Sequence, residues 1–141
     1  MSAALALAAC GGSGGGSTSA ASGVVMDGYL KNATVFLDLN DNGRQDSGEP
    51  STTTGADGSY SLSASQADLS AHAVIAQAVH GVTTDMDTPN AFIGSSYSLT
   101  SPAGKNGVIS PITTLISAKV SSGMSLAAAE TAVLKRNTKR Y

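Results

Sequence analysis

From Gly23 to Leu62, short apolar and hydroxyl-bearing runs are broken by Asp-Gly and Gly-rich punctuation, a pattern that predicts β-strands. Val24-Val25-Met26 leads into the turn-like Asp27-Gly28, and Ala33-Thr34-Val35-Phe36-Leu37 is a β-branched run. Ser51-Thr52-Thr53-Thr54 and Ser59-Tyr60-Ser61-Leu62 flank Gly55-Ala56-Asp57-Gly58. Asp-Gly between two such runs predicts a hairpin, with Tyr60 and Leu62 on one apolar face. Ala73 to Val79 fits a strand or a short helix by its period, and Val74 and Ile75 favour the strand. Ser96-Tyr97-Ser98-Leu99-Thr100 alternates as a further strand, and a turn follows over Pro102 to Gly107.

The period then changes. Ser110-Pro111 predicts a helix start, because serine caps and proline suits the first helical position. Ile112, Leu115, Ile116 and Val120 recur on one face, Ser122-Gly123 ends the helix, and Ser125 caps a second one carrying Leu126, Ala129 and Val133. The expected fold is mainly β with a C-terminal helical hairpin. Its divisions are a leading segment over 1–22, a β module over 23–107, the hairpin over 108–136 and a basic tail over 137–141.

Composition makes the core thin. The chain has 141 residues, 41% of them hydrophobic but only 4% aromatic, with no tryptophan and with Phe36 and Phe92 as its two phenylalanines. One small domain of this kind usually needs a metal, a disulfide or a partner, and a single cysteine cannot form an internal disulfide. The net charge of -2 gives no sign of a nucleic-acid partner. Lys135, Arg136, Lys139 and Arg140 crowd the C-terminus and read as a solvated end that suits a helix C-terminus.

The strongest chemical signal is Asp38 to Glu49. Asp38, Asn40 and Asn42 stand at positions one, three and five of a twelve-residue calcium loop, Gly43 at six, Arg44 at seven, Asp46 at nine and Glu49 at twelve. Calcium takes six to eight oxygens, and alternating short carboxylates and amides let one tight loop present them. Arg44 has only to supply its backbone carbonyl. The competing reading is a polar turn, since Asp, Asn and Gly favour turns without a metal. Gln45 at position eight and Pro50 directly after the last ligand argue against flanking helices, so the loop is expected without them.

Leu7-Ala8-Ala9-Cys10 resembles the lipobox of bacterial lipoproteins, where small residues precede a cysteine whose thiol is lipidated; the Gly/Ser run after it reads as a flexible tether. The resemblance implies a membrane partner through a lipid anchor on Cys10 and a place in the bacterial cell envelope. An export signal also has a basic region and a longer apolar stretch, and neither precedes Cys10, so the translation start is expected upstream. No apolar run approaches the roughly 20 residues needed to span a bilayer. Gly11-Gly12-Ser13-Gly14-Gly15 matches a hydrolase pattern but lies in the tether rather than on a strand-to-helix turn.

Nothing else assembles a catalytic set. His72 and His80 are spaced unsuitably for a metal pair on one helical face, and no nucleophile accompanies them. Asp85, Asp87 and Asn90 form a second small oxygen cluster that reads as a loop, and Asn32-Ala33-Thr34 matches a glycosylation acceptor by chance. The chain is expected not to be an enzyme.

Asp27-Gly28-Tyr29-Leu30, Ala33 to Asn40, Asp46-Ser47-Gly48-Glu49-Pro50 and Asp57 to Leu62 together resemble the prealbumin-like β-sandwich repeats of bacterial surface proteins. These include the calcium-binding B-type repeats of serine-aspartate adhesins and the carboxypeptidase regulatory-like domains. The resemblance implies a small antiparallel prealbumin-like β-sandwich and gives Asp38, Asn40, Asn42, Asp46 and Glu49 the calcium; this sequence departs from the family in having one repeat rather than an array and fewer strands than a complete sandwich. Val108 to Leu115 also resembles a segment that follows such modules in secreted Gram-negative proteins, where the second helix continues further. The leading expectation is a non-catalytic, calcium-stabilised module of an envelope lipoprotein, structural or adhesive. A polysaccharide- or ligand-binding accessory module and a truncated fragment of a larger secreted protein are the alternatives, and a protein or polysaccharide partner is expected beside the membrane.

Overall fold

The structure, a computed structural model, describes residues 18–88 and 91–138. In chain order it has strands β1 (Thr18–Val25), β2 (Leu30–Lys31), β3 (Thr34–Leu37), β4 (Ser51–Thr53) and β5 (Ser59–Ser65), then helix α1 (Gln66–Ala71). Strands β6 (Val74–Ala78), β7 (Thr84–Asp85), β8 (Tyr97–Ser101) and β9 (Val108–Ile109) follow, and helices α2 (Pro111–Ser121) and α3 (Leu126–Thr138) close the described chain. The fold is mainly β, sandwich-like, with a C-terminal helical pair.

One sheet has the order β4-β3-β6-β8 and is antiparallel throughout. A second has the order β5-β1-β9, in which β1 runs antiparallel to β5 and parallel to β9. That parallel pair departs from the wholly antiparallel expectation, and the long connection from β1 to β9 permits it. Alternation puts Ala21, Val25 and Leu62 of the second sheet in the same buried cluster as Val35, Leu37, Val74 and Leu99 of the first. The two sheets therefore share one core. Phe36 points the other way from Val35 and Leu37 yet is fully buried, opposite Ile75 in the β3–β6 register.

Three expectations change. Thr18 to Ser22 belong to β1 rather than to a tether, because their backbone pairs with β5 from Thr18 opposite Ser65 onward. Ala21 packs inward, and at Gly23 a Cβ would sit 2.6 Å from the Asn106 carbonyl oxygen, so the small residues of this stretch permit close strand approach rather than flexibility. Asp57-Gly58 does not close a hairpin between β4 and β5. Those strands pair with β3 and β1 respectively, so the turn passes the chain from one sheet to the other. Gly58, at φ +76, leaves room there for the Val25 carbonyl. Helix α1 was not anticipated: Ser65 accepts the Asp68 N–H at 3.0 Å as its cap, and Leu69 anchors it in the core.

Ala73 to Val79 resolves as strand β6, as its β-branched residues favour. Ser110 caps α2 with Pro111 at the first position, and Thr113 completes a capping box. The hydroxyls of Thr113 and Thr114 also reach β8: Thr113 donates to the Thr100 carbonyl at 2.8 Å, and Thr114 accepts the Thr100 N–H at 2.9 Å. The helices meet through Ile116, Ala129 and Val133, a small cluster separate from the main core. Ile112 and Leu115, expected on the same seam, are instead largely exposed.

Candidate functional site

Strand β3 delivers Asp38 into the loop. The Asp38 N–H donates to the Ala73 carbonyl at 3.0 Å, extending the β3–β6 ladder by one bond, while the Leu37 N–H donates to the Pro50 carbonyl at 3.0 Å on the other side. Both ends of the twelve-residue stretch are thus fixed to the sheet. The flanking elements are strands β3 and β4, in line with a loop lacking helices.

Asp38 is only 4% exposed, and its two carboxylate oxygens accept the N–H groups of Asn42 at 3.1 Å and Gly43 at 2.8 Å. A buried carboxylate needs such partners, because charge without compensation is costly away from water. Asn40 Oδ1 also accepts the Asn42 N–H, at 3.3 Å, and Asn42 Oδ1 accepts the Arg44 N–H at 2.8 Å. Asp41 and Gly43 carry positive φ, +58° and +75°. At Gly43 nothing lies within 4 Å of a Cβ position, so glycine is needed there for its backbone conformation rather than for space.

The second half of the loop folds back on the first. Asp46 Oδ2 accepts the side-chain amide of Asn40 at 2.8 Å and that of Asn42. These two amides, with the Arg44 guanidinium adding a smaller attraction, hold the Asp46 carboxyl below its usual range. Glu49 closes the loop with both oxygens, one accepting the Leu39 N–H at 2.9 Å and the other the Asp46 N–H at 2.8 Å.

Asp38, Asn40, Asn42, Asp46 and Glu49 are therefore brought into one hydrogen-bonded loop, with Arg44 engaged through its backbone. Among the described residues, no group of three or more His, Cys, Asp or Glu side chains is gathered as a metal-holding cluster. In this arrangement Asp46 faces side-chain amides and Glu49 faces backbone N–H groups. The donor set is made wholly of oxygens suited to a hard cation, and the Asn40 and Asn42 side chains present their nitrogens to Asp46. Turning those amides over would present oxygens in their place. The residues thus fit calcium in type and in loop position, with side-chain rotation required of the two asparagines.

The other candidates lie apart. Asp85 Oδ1 accepts the Asp87 N–H at 2.8 Å within a local turn, and Asn90 lies outside the described residues. His80 contacts the Ile93 carbonyl through its ring, while His72 ends α1, so the two histidines serve different segments. Cys10 and the 11–15 glycine-serine run also lie outside the described residues. No helix among the described residues is long and apolar enough to cross a membrane.

Sequence reading missed two polar anchors of the fold. Thr54, almost fully buried, donates its hydroxyl to the Leu30 carbonyl at 2.6 Å and accepts the Ala33 N–H at 2.9 Å. Tyr97 donates its hydroxyl to Asp27 at 2.9 Å across a sequence separation of 70. Burial first, then the Asp27 acceptor and its charge, push the Tyr97 phenol well above its usual range. Neither contact has a local sequence signal, since each joins residues that only the sandwich brings together.

Comparison with family models, with curated proteins and with solved structures finds no match for this chain.

Proposed function

We propose that this chain is a non-catalytic, calcium-stabilised β module of a bacterial cell-envelope lipoprotein, structural or adhesive in role. The observation that carries the reading is the closed loop from Asp38 to Glu49. Each end is bonded to the sheet, and five oxygen-bearing side chains at the loop's ligand positions are bonded within it. Calcium bound there would supply a strong central charge in place of these weaker polar contacts. Asp38, Asp46 and Glu49 would provide carboxylates, Asn40 and Asn42 amide oxygens, and Arg44 a backbone carbonyl. A small core with little aromatic content gains most from such a brace.

The resemblance to prealbumin-like surface repeats supports the same role, because calcium in those repeats stiffens a stalk. The lipobox-like Leu7-Ala8-Ala9-Cys10 supports the envelope assignment and a lipid anchor on Cys10. Two experiments test the two halves. Calcium titration of the full chain by calorimetry should give one site that magnesium fills poorly, since magnesium demands rigid octahedral geometry and retains its waters; an absence of calcium heat would reject the metal half. Radiolabelled palmitate fed to a Gram-negative host expressing the chain behind an export signal should label it, and Cys10→Ser should lose the label. Equal labelling of parent and variant would reject the anchor.

A further inference from the structure

Beside the loop lies an open groove of about 540 Å³. One wall is Asp38, Asp41 and Gly43, the other is the Thr114, Ser117, Ala118 and Ser121 side of α2, and Ala73, Ile75 and Thr100 lie between them. Its volume falls within the roughly 300–1,000 Å³ of small-ligand sites. Thr100 stands opposite Ile75 in the β6–β8 register, which places both on the sheet face that α2 overhangs. The hydrogen bonds of Thr113 and Thr114 to Thr100 fix the helix at that distance from the sheet, so the groove is part of the folded frame.

We infer that this groove binds a neutral polyhydroxylated ligand, of the class of a pyranose unit. Its lining, among the described residues, offers two carboxylates and several hydroxyls but no basic side chain, which disfavours phosphates, sulfates and acidic sugars. Among the described residues, no hydrogen bond engages the side chains of Ser117 and Ser121 or the carboxylate of Asp41, so these lining groups are available to a ligand. Ala73 and Ala118, with the small accessible edge of the largely buried Ile75, supply an apolar strip against which the C–H face of a sugar ring can rest. Hydroxyl donors and acceptors on one side, carboxylates on the other and a small apolar strip between them match a diol-bearing ring in size and polarity.

The inference goes beyond the calcium reading and does not depend on it, because the groove and its free hydroxyls exist without a metal. Amide chemical shifts of the full chain would be followed during titration with methyl glucoside, methyl mannoside and methyl galactoside, with glucuronate as the charged control. At least one neutral glycoside should move the amides of Asp41, Gly43, Ser117 and Ser121, and glucuronate should not. Ser117→Val combined with Ser121→Val should weaken binding about tenfold, as loss of roughly 1.4 kcal/mol of hydrogen bonding would, while calcium calorimetry stays as in the parent. Ala118→Leu, which fills the groove from an exposed helical position, gives a second variant with the same expected loss. Shifts confined to other surfaces, no shifts with any of the three glycosides, equal response to glucuronate, or undiminished binding in both variants would overturn the inference and leave the calcium result standing on its own data.

Discussion

The Glu49 carboxylate accepts the backbone N–H of Leu39 at 2.9 Å, tying the last position of the loop to the second. Its other oxygen takes the Asp46 N–H at 2.8 Å, so one side chain holds the loop closed across its mouth. This arrangement gives the loop a shape before any metal arrives. It also means that the glutamate at position twelve has a role in stability separate from any role as a ligand.

Glu49→Ala is therefore expected to destabilise the chain even in chelator, by about 1.5–3 kcal/mol, the range for hydrogen bonds to a charged group. Chemical denaturation without calcium measures it. Glu49→Gln keeps one oxygen acceptor and should recover part of the loss while still weakening calcium binding. Unchanged stability of Glu49→Ala in chelator would show that the closing bonds contribute nothing in solution.

Thr54 carries a different kind of load. Its hydroxyl satisfies the Ala33 N–H and the Leu30 carbonyl, and its own N–H and carbonyl pair with Ala33 and Asn32. Thr54→Val keeps the shape and strands both buried partners, at an expected cost of about 2–3 kcal/mol. Thr54→Ser should retain most of the stability. Denaturant midpoints of the two variants separate lost hydrogen bonding from lost packing, and equal midpoints would contradict the assignment.

Tyr60 gives the fold an alkaline limit. Burial pushes its phenol from 10.0 up to about 12, and its hydroxyl donates to the Asn106 carbonyl. The folded state therefore favours the neutral form more than the unfolded state does. The associated stability is fully present below about pH 10 and is lost as pH rises through about 12. Stability measured by denaturant across that window should fall, and the fall should be shallower in Tyr60→Phe. Tyr97, raised by burial and by Asp27, acts in the same direction, so a Tyr60→Phe, Tyr97→Phe pair should flatten the curve further. An identical decline in parent and variants would place the titrating groups elsewhere.

The strands with β-branched or alternating patterns were legible. Thr34–Leu37, Tyr97–Ser101 and the Ser110-Pro111 helix start all occur near their expected places. Local chemistry encodes these elements, as it encodes the loop's turn and its glycine. What the chain alone did not reveal depends on partners distant in sequence. Thr18 to Ser22 look like linker by composition and become strand only because β5 lies alongside. Asp57-Gly58 has the chemistry of a hairpin turn, but the register that decides which strands it joins is set by the core, through Val35 and Leu37 on one side and Leu62 on the other. The short β2–β7 ribbon, pairing Leu30 with Asp85, carries too few residues to show any period. At the site, the ligand spacing was readable, whereas the grip of Asp46 on two asparagine amides and of Glu49 on two backbone amides was not, because spacing does not fix rotamers.

The proposed structural calcium site from Asp38 to Glu49 is checked by thermal unfolding of the full chain with excess calcium and with chelator, beside Asp38→Ala. A ligand that binds only the folded state adds about 2.7 kcal/mol at one hundred times its dissociation constant. Asp38 also anchors the Asn42 and Gly43 N–H groups, so the variant starts from a lower baseline, and the diagnostic quantity is the shift that calcium produces within each protein. A clear upward shift is expected in the parent and none in the variant. Superimposable parent curves in calcium and in chelator would contradict it and reduce the loop to a polar turn closed by its own hydrogen bonds.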